Sequence, residues 1–325
     1  MFFGELGSTG GLVVKDHPYR KLKALLDVEK LASGIEGFYS ARTGRKGYGG
    51  EKALQMLILQ FMEDLSDREM ERYLKENIAC KWFCDFELAA KTPDHSYFKT
   101  VRDTLGTKGL GDLFDQVQSA LKLKGYLKEL FTFVDASQLI SKFATWEERD
   151  KAIAEGIEKL NNETIEKVAH DKQARYGCKG KKKFWYGYKR HVSVDCQSGL
   201  INKVAVTSAE VTDAEGLGRV CPRQGAVIGD KGYGINPATR TIKARGCHDM
   251  TIKKNNMKGK NKDKDRWISG LRSPYERVFA AMPKRVRYCG IAKTQFQAFG
   301  EAFAFNLKRC ITLGIERINL SVAAG

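Results

Sequence analysis

The hydrophobic period of this chain changes at Lys128, from helical spacing to strand-like runs, and that single change points to an α+β design. Upstream, Leu54, Leu57, Ile58, Phe61 and Leu65 recur at helical spacing. Ser66-Asp-Arg-Glu69 has the form of a capping box, with Met70, Tyr73 and Leu74 following on one face. Thr92-Pro93-Asp94 gives another helix start, carried by Phe98, Val101 and Leu105 as far as Gly106. Leu110, Phe114, Val117 and Leu121 make a further amphipathic stretch, stopped by Gly125. A short helix is also expected near 19–31, between glycine-rich loops. Residues 1–128 are therefore expected to form an all-helical, helix-turn-helix-like domain for DNA binding or dimerisation, although generic helical packing accounts for the pattern equally well.

Downstream, Leu130-Phe-Thr-Phe-Val134 is a compact apolar run suited to a buried strand, ending at Asp135. Over 185–195, Tyr186, Tyr188, Val192 and Val194 fall on alternate positions. A turn at Asp195-Cys-Gln-Ser-Gly199 and a second strand over 200–207 predict a hairpin. A helix near 213–220, a buried strand over 225–229 ending at Asp230, and a weaker strand near 250–253 follow. The apolar spacing after Tyr275 and after Phe296 predicts two closing helices. Residues 129–325 are expected to be an α/β domain with a mixed sheet flanked by helices and an irregular basic insertion near 235–266.

Charge is distributed unevenly. Lys and Arg number 56 against 39 Asp and Glu, a net charge of +17. Residues 1–130 carry 20 basic and 19 acidic residues, and 131–325 carry 36 and 20. A positive field confined to one part of the chain points to a polyanion, most often nucleic acid. With 42% hydrophobic residues and six prolines the chain is not mainly disordered. No apolar run reaches 18 residues and no signal-peptide pattern opens the sequence, so a cytoplasmic protein with no membrane partner is expected. The eight cysteines form no CxxC pair and read as scattered reduced thiols.

Two strands end alike, in Phe133-Val134-Asp135 and Val227-Ile228-Gly229-Asp230. Open sheets bind ligands at the carboxyl ends of their strands. Neighbouring parallel strands would bring both carboxylates into one cleft, where their repulsion calls for a hard divalent cation such as Mg2+. Two such ions about 3.5–4 Å apart can serve phosphodiester chemistry. Taken singly, either Asp reads as a cap after a strand. A third carboxylate is available at Glu276, in Arg272-Ser-Pro-Tyr-Glu276-Arg-Val-Phe279. Ser273-Pro274-Tyr275-Glu276 is equally a capping box with Pro at the first helical position.

From His170 to Arg190 there are eight Lys or Arg and one acid, interleaved with Tyr176, Phe184, Trp185, Tyr186 and Tyr188. From Arg240 to Arg266 there are ten against three. Cations among flat rings suit a phosphate backbone and unstacked bases, and solvated loops have the same composition. The residues expected to meet DNA are Lys181, Lys182, Lys183, Trp185, Lys189, Arg190, Lys231, Tyr233, Lys253, Lys254, Arg272, Arg277 and Lys284.

In this order, the strand to Asp135, Tyr186-Gly-Tyr-Lys-Arg-His-Val-Ser-Val-Asp195, Gly229-Asp230-Lys231-Gly232-Tyr233 and Arg272-x-x-x-Glu276-Arg-Val-Phe279 resemble the DDE transposases of bacterial insertion sequences, closest to insertion sequence family five. Leu65-Ser-Asp-Arg-Glu69, Pro93-Asp94-His95 with Phe98 and Arg102, Tyr288-x-Gly290 and Asn306-Leu-Lys-Arg309 extend the resemblance to about 50–310. Two positions depart from the pattern. Ser269 stands where the family has tyrosine, and Lys284 follows Glu276 by eight positions, where seven is usual. The resemblance implies an RNase H-like fold, with Asp135, Asp230 and Glu276 as metal ligands. It also implies two Mg2+ ions per site, replaceable by Mn2+, and a homodimer acting on inverted-repeat ends and target DNA near the nucleoid. Three alternatives stay open: an RNase H-like nuclease without strand transfer, a metal-independent glycosidase built on two carboxylates, and a non-catalytic DNA-binding regulator.

Overall fold

The computed structural model describes residues 9–36, 47–141, 145–157, 161–179, 183–254, 257, 260–318 and 320. It divides into one unit of residues 1–124 with 300–325 and another of residues 125–299. In the first, a 3-10 turn (Thr9–Leu12) leads into α1 (Pro18–Leu25), α2 (Val28–Glu36), α3 (Gly50–Met62), α4 (Asp67–Glu76), α5 (Ile78–Phe83) and α6 (His95–Leu123). The capping box forms as its sequence implies: the Ser66 N–H donates to Glu69 at 2.8 Å, and the Glu69 N–H to Ser66 Oγ at 3.4 Å. Gly106, at φ 62°, kinks α6 where the sequence places a break between two helices. Arg102 clamps Asp67 through two 2.7 Å bonds, joining α6 to α4.

The second unit runs β1 (Phe131–Ile140), α7 (Thr145–Ala154), α8 (Ile165–Val168), β2 (Arg175–Lys179), β3 (Lys183–Asp195), β4 (Ile201–Ser208), α9 (Asp213–Val220), β5 (Ala226–Gly229), α10 (Asn236–Ala244), β6 (His248–Thr251), α11 (Lys262–Ala281) and α12 (Ile291–Thr312), whose C-terminal part belongs to the first unit. The six strands form one mixed sheet. β1 is central, antiparallel to β3 and parallel to β5. β4 and β2 both pair antiparallel with β3, and β6 lies parallel beyond β5. An antiparallel β1–β3–β4 arrangement is continued by two parallel strands on the far side of β1, so the sheet is mixed and flanked by helices, as expected.

Both faces of the sheet are covered. On one, Val134 and Val227 pack with Ala214 and Leu217 of α9 and with Ala238 and Ile242 of α10. On the other, the Phe133 ring meets Tyr275 and Phe279 of α11, with centroids 6.1 and 5.7 Å away. Alternation along β1 and its register with β3 give Phe133, Asp135 and Ser137 the α11 face, together with Val192 and Arg190.

Four sequence expectations change. β1 does not end at Asp135 but runs on to Ile140, because the long β3 keeps pairing with it after β5 has stopped at Gly229. The stretch expected as an irregular insertion contains α10 and the start of α11 besides the strand expected near 250–253, which is β6. α11 is continuous through Pro274 and is capped by Asn261, which accepts from the Asp263 and Lys264 N–H groups at 3.0 Å. Ser273 therefore lies inside a helix, and the capping reading of Glu276 falls. β2, in the basic run that has the composition of a solvated loop, is a strand, stabilised by pairing with the start of β3 rather than by an apolar pattern of its own.

α9 packs tightly on the sheet at Gly216. A Cβ there would lie 2.0 Å from Cε1 of His191, a buried imidazole hydrogen-bonded to Thr207 Oγ1 at 2.9 Å. Gly216→Ala, which would stabilise an open helix by about 1 kcal/mol, should here destabilise the chain by roughly 1–3 kcal/mol through overpacking. Chemical denaturation of the two proteins checks the sign.

Candidate active site

The β1–β5 register runs Phe131 with Ala226, Thr132 with Val227 and Phe133 with Ile228. Continued by two residues, it sets Asp135 level with Asp230, just beyond the point where β5 ends. Neighbouring parallel strands lie about 4.8 Å apart, so the fold itself brings the two carboxylates together at the carboxyl edge of β5. Both are half-buried. Asp135 Oδ1 accepts from the Ala136 N–H at 2.8 Å, and Asp230 Oδ1 from the Gly232 N–H at 2.7 Å. Burial pushes the Asp135 carboxyl up to about 6; the Asp230 charge adds to the rise, while the Ala136 N–H and the charges of Arg272 and Lys179 oppose it.

Arg272, on the buried side of α11, sets its guanidinium 5.5 Å from the Phe133 ring centroid and pairs with Glu276 at 3.6 Å. Arg272, Glu276 and Phe279 form a stripe at helical spacing on the side of α11 that meets β1. The Glu276 side chain is 62% exposed. Beyond α11 the chain is pinned to β1: the Ile140 N–H donates to Lys284 O at 2.7 Å, and the Val286 N–H to Ile140 O at 3.0 Å.

The donor set fits a hard divalent cation. Among the described residues no three His, Cys, Asp or Glu side chains gather closely enough to enclose a metal. Magnesium sites do not require that, since one or two carboxylates with water and phosphate oxygens suffice. The Tyr233 hydroxyl is fully buried without a hydrogen-bond partner, within the field of Asp213, Asp135, Asp230 and Arg272.

The side chains expected on DNA divide in two. Lys231, Lys253, Lys254, Arg277 and Lys284 are exposed. Four others are interior: the Trp185 indole N–H donates to Tyr188 O at 3.1 Å, Lys189 pairs with Asp213 at 2.9 Å, Arg190 is 0% exposed and donates to Pro283 O at 3.1 Å, and Tyr233 is 0% exposed. As folded, the three on β3 support the sheet, because β3 is central and its side chains are covered on both faces, and Tyr233 is buried in the turn after β5. Lys181 and Lys182 lie outside the described residues, as does the Lys183 side chain.

Comparison with known proteins follows this geometry. Residues 9–104 match the family model described as Transposase domain (DUF772), and residues 154–307 match the Transposase DDE domain. Asp230 and Glu276 lie within the second match; Asp135 lies between the two. A cryo-EM structure of the piggyBac transposase synaptic complex with hairpin DNA is similar at a TM-score of 0.39 and 8% identity, over 97% of this chain and 79% of that one. No helix among the described residues is long and apolar enough to cross a membrane.

The Asp135 environment sets a sign for stability. Its folded value of about 6 exceeds the ordinary carboxyl value of 3.8. The folded chain then holds that proton more tightly than the unfolded one, so ionised Asp135 destabilises the metal-free protein above pH 6 and costs nothing below about pH 4. Asp135→Asn should therefore be the more stable protein in chelator at pH 7.5, by on the order of 1–3 kcal/mol, with the gain vanishing near pH 4. Melting curves across that range test it; equal stability at pH 7.5 would refute the burial argument.

Proposed function

The chain belongs to the DDE transposases of the insertion-sequence type, DNA-transposing enzymes that use divalent metal, and from that premise we propose that Asp135, Asp230 and Glu276 hold Mg2+ at the carboxyl edge of β5. The observation carrying this reading is the register that levels Asp135 with Asp230. Two Mg2+ ions are the proposed complement, with Mn2+ able to replace them. When bound, the metal supplies an activated water and charge neutralisation at the phosphodiester.

The chain's own residues position and neutralise. Asp135 and Asp230 fix where the scissile phosphate sits. Arg272 brings a cation to the same cleft, suited to a non-bridging phosphate oxygen. Glu276, paired with Arg272 and exposed, reaches the cleft from α11. The reaction is hydrolysis of one strand at an element end, then in-line attack of the freed 3′-hydroxyl on target DNA. Neither step needs a side-chain nucleophile, so catalysis is positioning plus electrostatics. We further propose that the enzyme works as a homodimer on inverted-repeat ends, that residues 1–128 contribute to end binding, and that its nearest relatives are in insertion sequence family five.

The decisive experiment incubates the protein with element ends, target DNA and Mg2+. Nicks with 3′-hydroxyls and joined molecules are expected, whereas nicks that never join would indicate a plain nuclease. Asp135→Ala and Asp230→Ala should abolish cleavage while leaving end binding largely intact. Glu276→Gln should lower the rate by orders of magnitude, since a neutral amide is a poor ligand for a hard cation; near wild-type cleavage by any of the three would remove that residue from the metal site.

DNA contact is proposed for the exposed cations Lys231, Lys253, Lys254, Arg277 and Lys284, and for Arg272 at the scissile phosphate. Replacing Lys231, Lys253, Lys254 and Arg277 by Gln should flatten the salt dependence of binding by about 0.9 per lost phosphate contact. Arg190→Met should leave that slope alone and reduce stability instead. The reverse pattern would mean that β3 turns its cations outward when DNA binds.

A further inference from the structure

One carboxylate near the metal-binding pair has no part in the reading above. Asp213 opens α9, yet it does not cap it. Thr212 is the cap, and its capping box with Glu215 satisfies the helix terminus. The Asp213 carboxylate is free to point elsewhere. Its Oδ1 lies 2.9 Å from Lys189 Nζ, which also donates to Val211 O at 2.7 Å, so the lysine is held from two sides and fixes the carboxylate in turn.

The other oxygen lies beside Gly232, in the turn that follows Asp230. A Cβ placed on Gly232 would lie 3.3 Å from Asp213 Oδ2 and 2.9 Å from Asp230 Oδ1. Both carboxylates thus border the space that a side chain at position 232 would fill. An independent observation comes from Tyr233. Its hydroxyl is fully buried and has no hydrogen-bond partner, and the charges of Asp213, Asp135 and Asp230 all act on it. A buried polar group left unmade in such a place is expensive unless a ligand or its water completes it.

We propose that Asp213 is a further carboxylate of the divalent-cation site, presented from α9 opposite Asp230 and oriented by Lys189. The inference rests on the reading of Asp135 and Asp230 as the metal-holding pair. It gives the site oxygen donors from both faces of the sheet: Asp213 on the α9 side, Glu276 on the α11 side, and the two strand aspartates between them. Hard cations favour such all-oxygen sets. The placement also accounts for a buried lysine on β3, whose ammonium holds Asp213 in position when no metal is bound.

The test uses the full chain without DNA and Mn2+ as the probe, with free Mn2+ followed by electron paramagnetic resonance. Asp213→Asn should raise the Mn2+ dissociation constant about tenfold or more while the metal-free protein melts within a few degrees of wild type. Asp213→Glu, which keeps the charge one methylene further out, should recover part of the affinity. Lys189→Met leaves the carboxylate and removes its clamp, and should weaken Mn2+ binding by a smaller factor. If Asp213→Asn binds Mn2+ as wild type does while Asp230→Asn does not, Asp213 is only a helix-terminal charge and the proposal is overturned. If Asp135→Asn, Asp230→Asn and Asp213→Asn all bind Mn2+ as wild type does, the metal reading of the strand aspartates fails together with it.

Discussion

Two like charges on neighbouring strands are the constraint around which the second unit is organised. The β1–β5 register levels Asp135 with Asp230, and two like charges separated by the roughly 5 Å spacing of neighbouring strands would repel by roughly 3 kcal/mol at an effective dielectric near 20. The surroundings offset this only in part. The Ala136 N–H and the charges of Arg272 and Lys179 favour ionised Asp135, yet burial still wins and the carboxyl rises to about 6. The residual penalty is a store of free energy that a divalent cation would release at the proposed site. A site pre-arranged in this way binds metal better than one that must assemble its ligands, and is less stable without it.

That constraint also explains the placement of the helices. α11 lies on the face that Asp135 shares with Phe133, anchored by the Tyr275 and Phe279 rings, so its Arg272–Glu276 pair follows from the packing of those aromatics on β1. Pro274 removes one backbone donor inside this helix. The Ser273–Glu276 segment keeps its helical course because the aromatics on either side of Glu276 are held by the sheet. On the opposite face, α9 approaches closely enough at Gly216 to exclude a methyl group from the His191 ring. Burial holds that imidazole down to about 4, so it is neutral at physiological pH and adds no charge behind the site.

Much of this was legible in the sequence, and the failures have physical reasons. The helical periods before Lys128, the hairpin around Asp195–Gly199 and the short strand before Asp230 all follow from local patterns, and all are present. The length of β1 was not legible, because Ala136–Ile140 is extended by its ladder to β3 rather than by an apolar run. The course of α11 was misread because Ser-Pro-x-Glu has the local signature of a helix start, and only packing from both ends overrides it. Asp135 and Asp230 could be singled out because both end apolar runs. Asp213 could not, since one of its oxygens comes near the turn after Asp230 only through a long-range approach at Gly232.

The net charge of +17 is best understood against this interior. Cations with poor access to water are costly unless paired, and here the pairing is local: Lys189 with Asp213, Arg190 with Pro283 O, and Lys203 with Cys221 O at 2.8 Å. Each ties a strand of the sheet to a helix or to the loop that follows one. A basic run in the sequence therefore mixes two populations that composition cannot separate. Along β3 the alternating rings and cations resemble a nucleic-acid surface, yet a central strand buries both of its faces, so those residues become structural. The exposed cations are those on turns and helix surfaces, such as Lys231 after β5, Lys253 and Lys254 after β6, and Arg277 on α11. Three of these four follow the carboxyl ends of parallel strands, the same edge that the Asp135–Asp230 register selects. The charge excess and the acidic pair are thus two consequences of one topology: parallel strands that stop together leave their following loops, and whatever those loops carry, at the site.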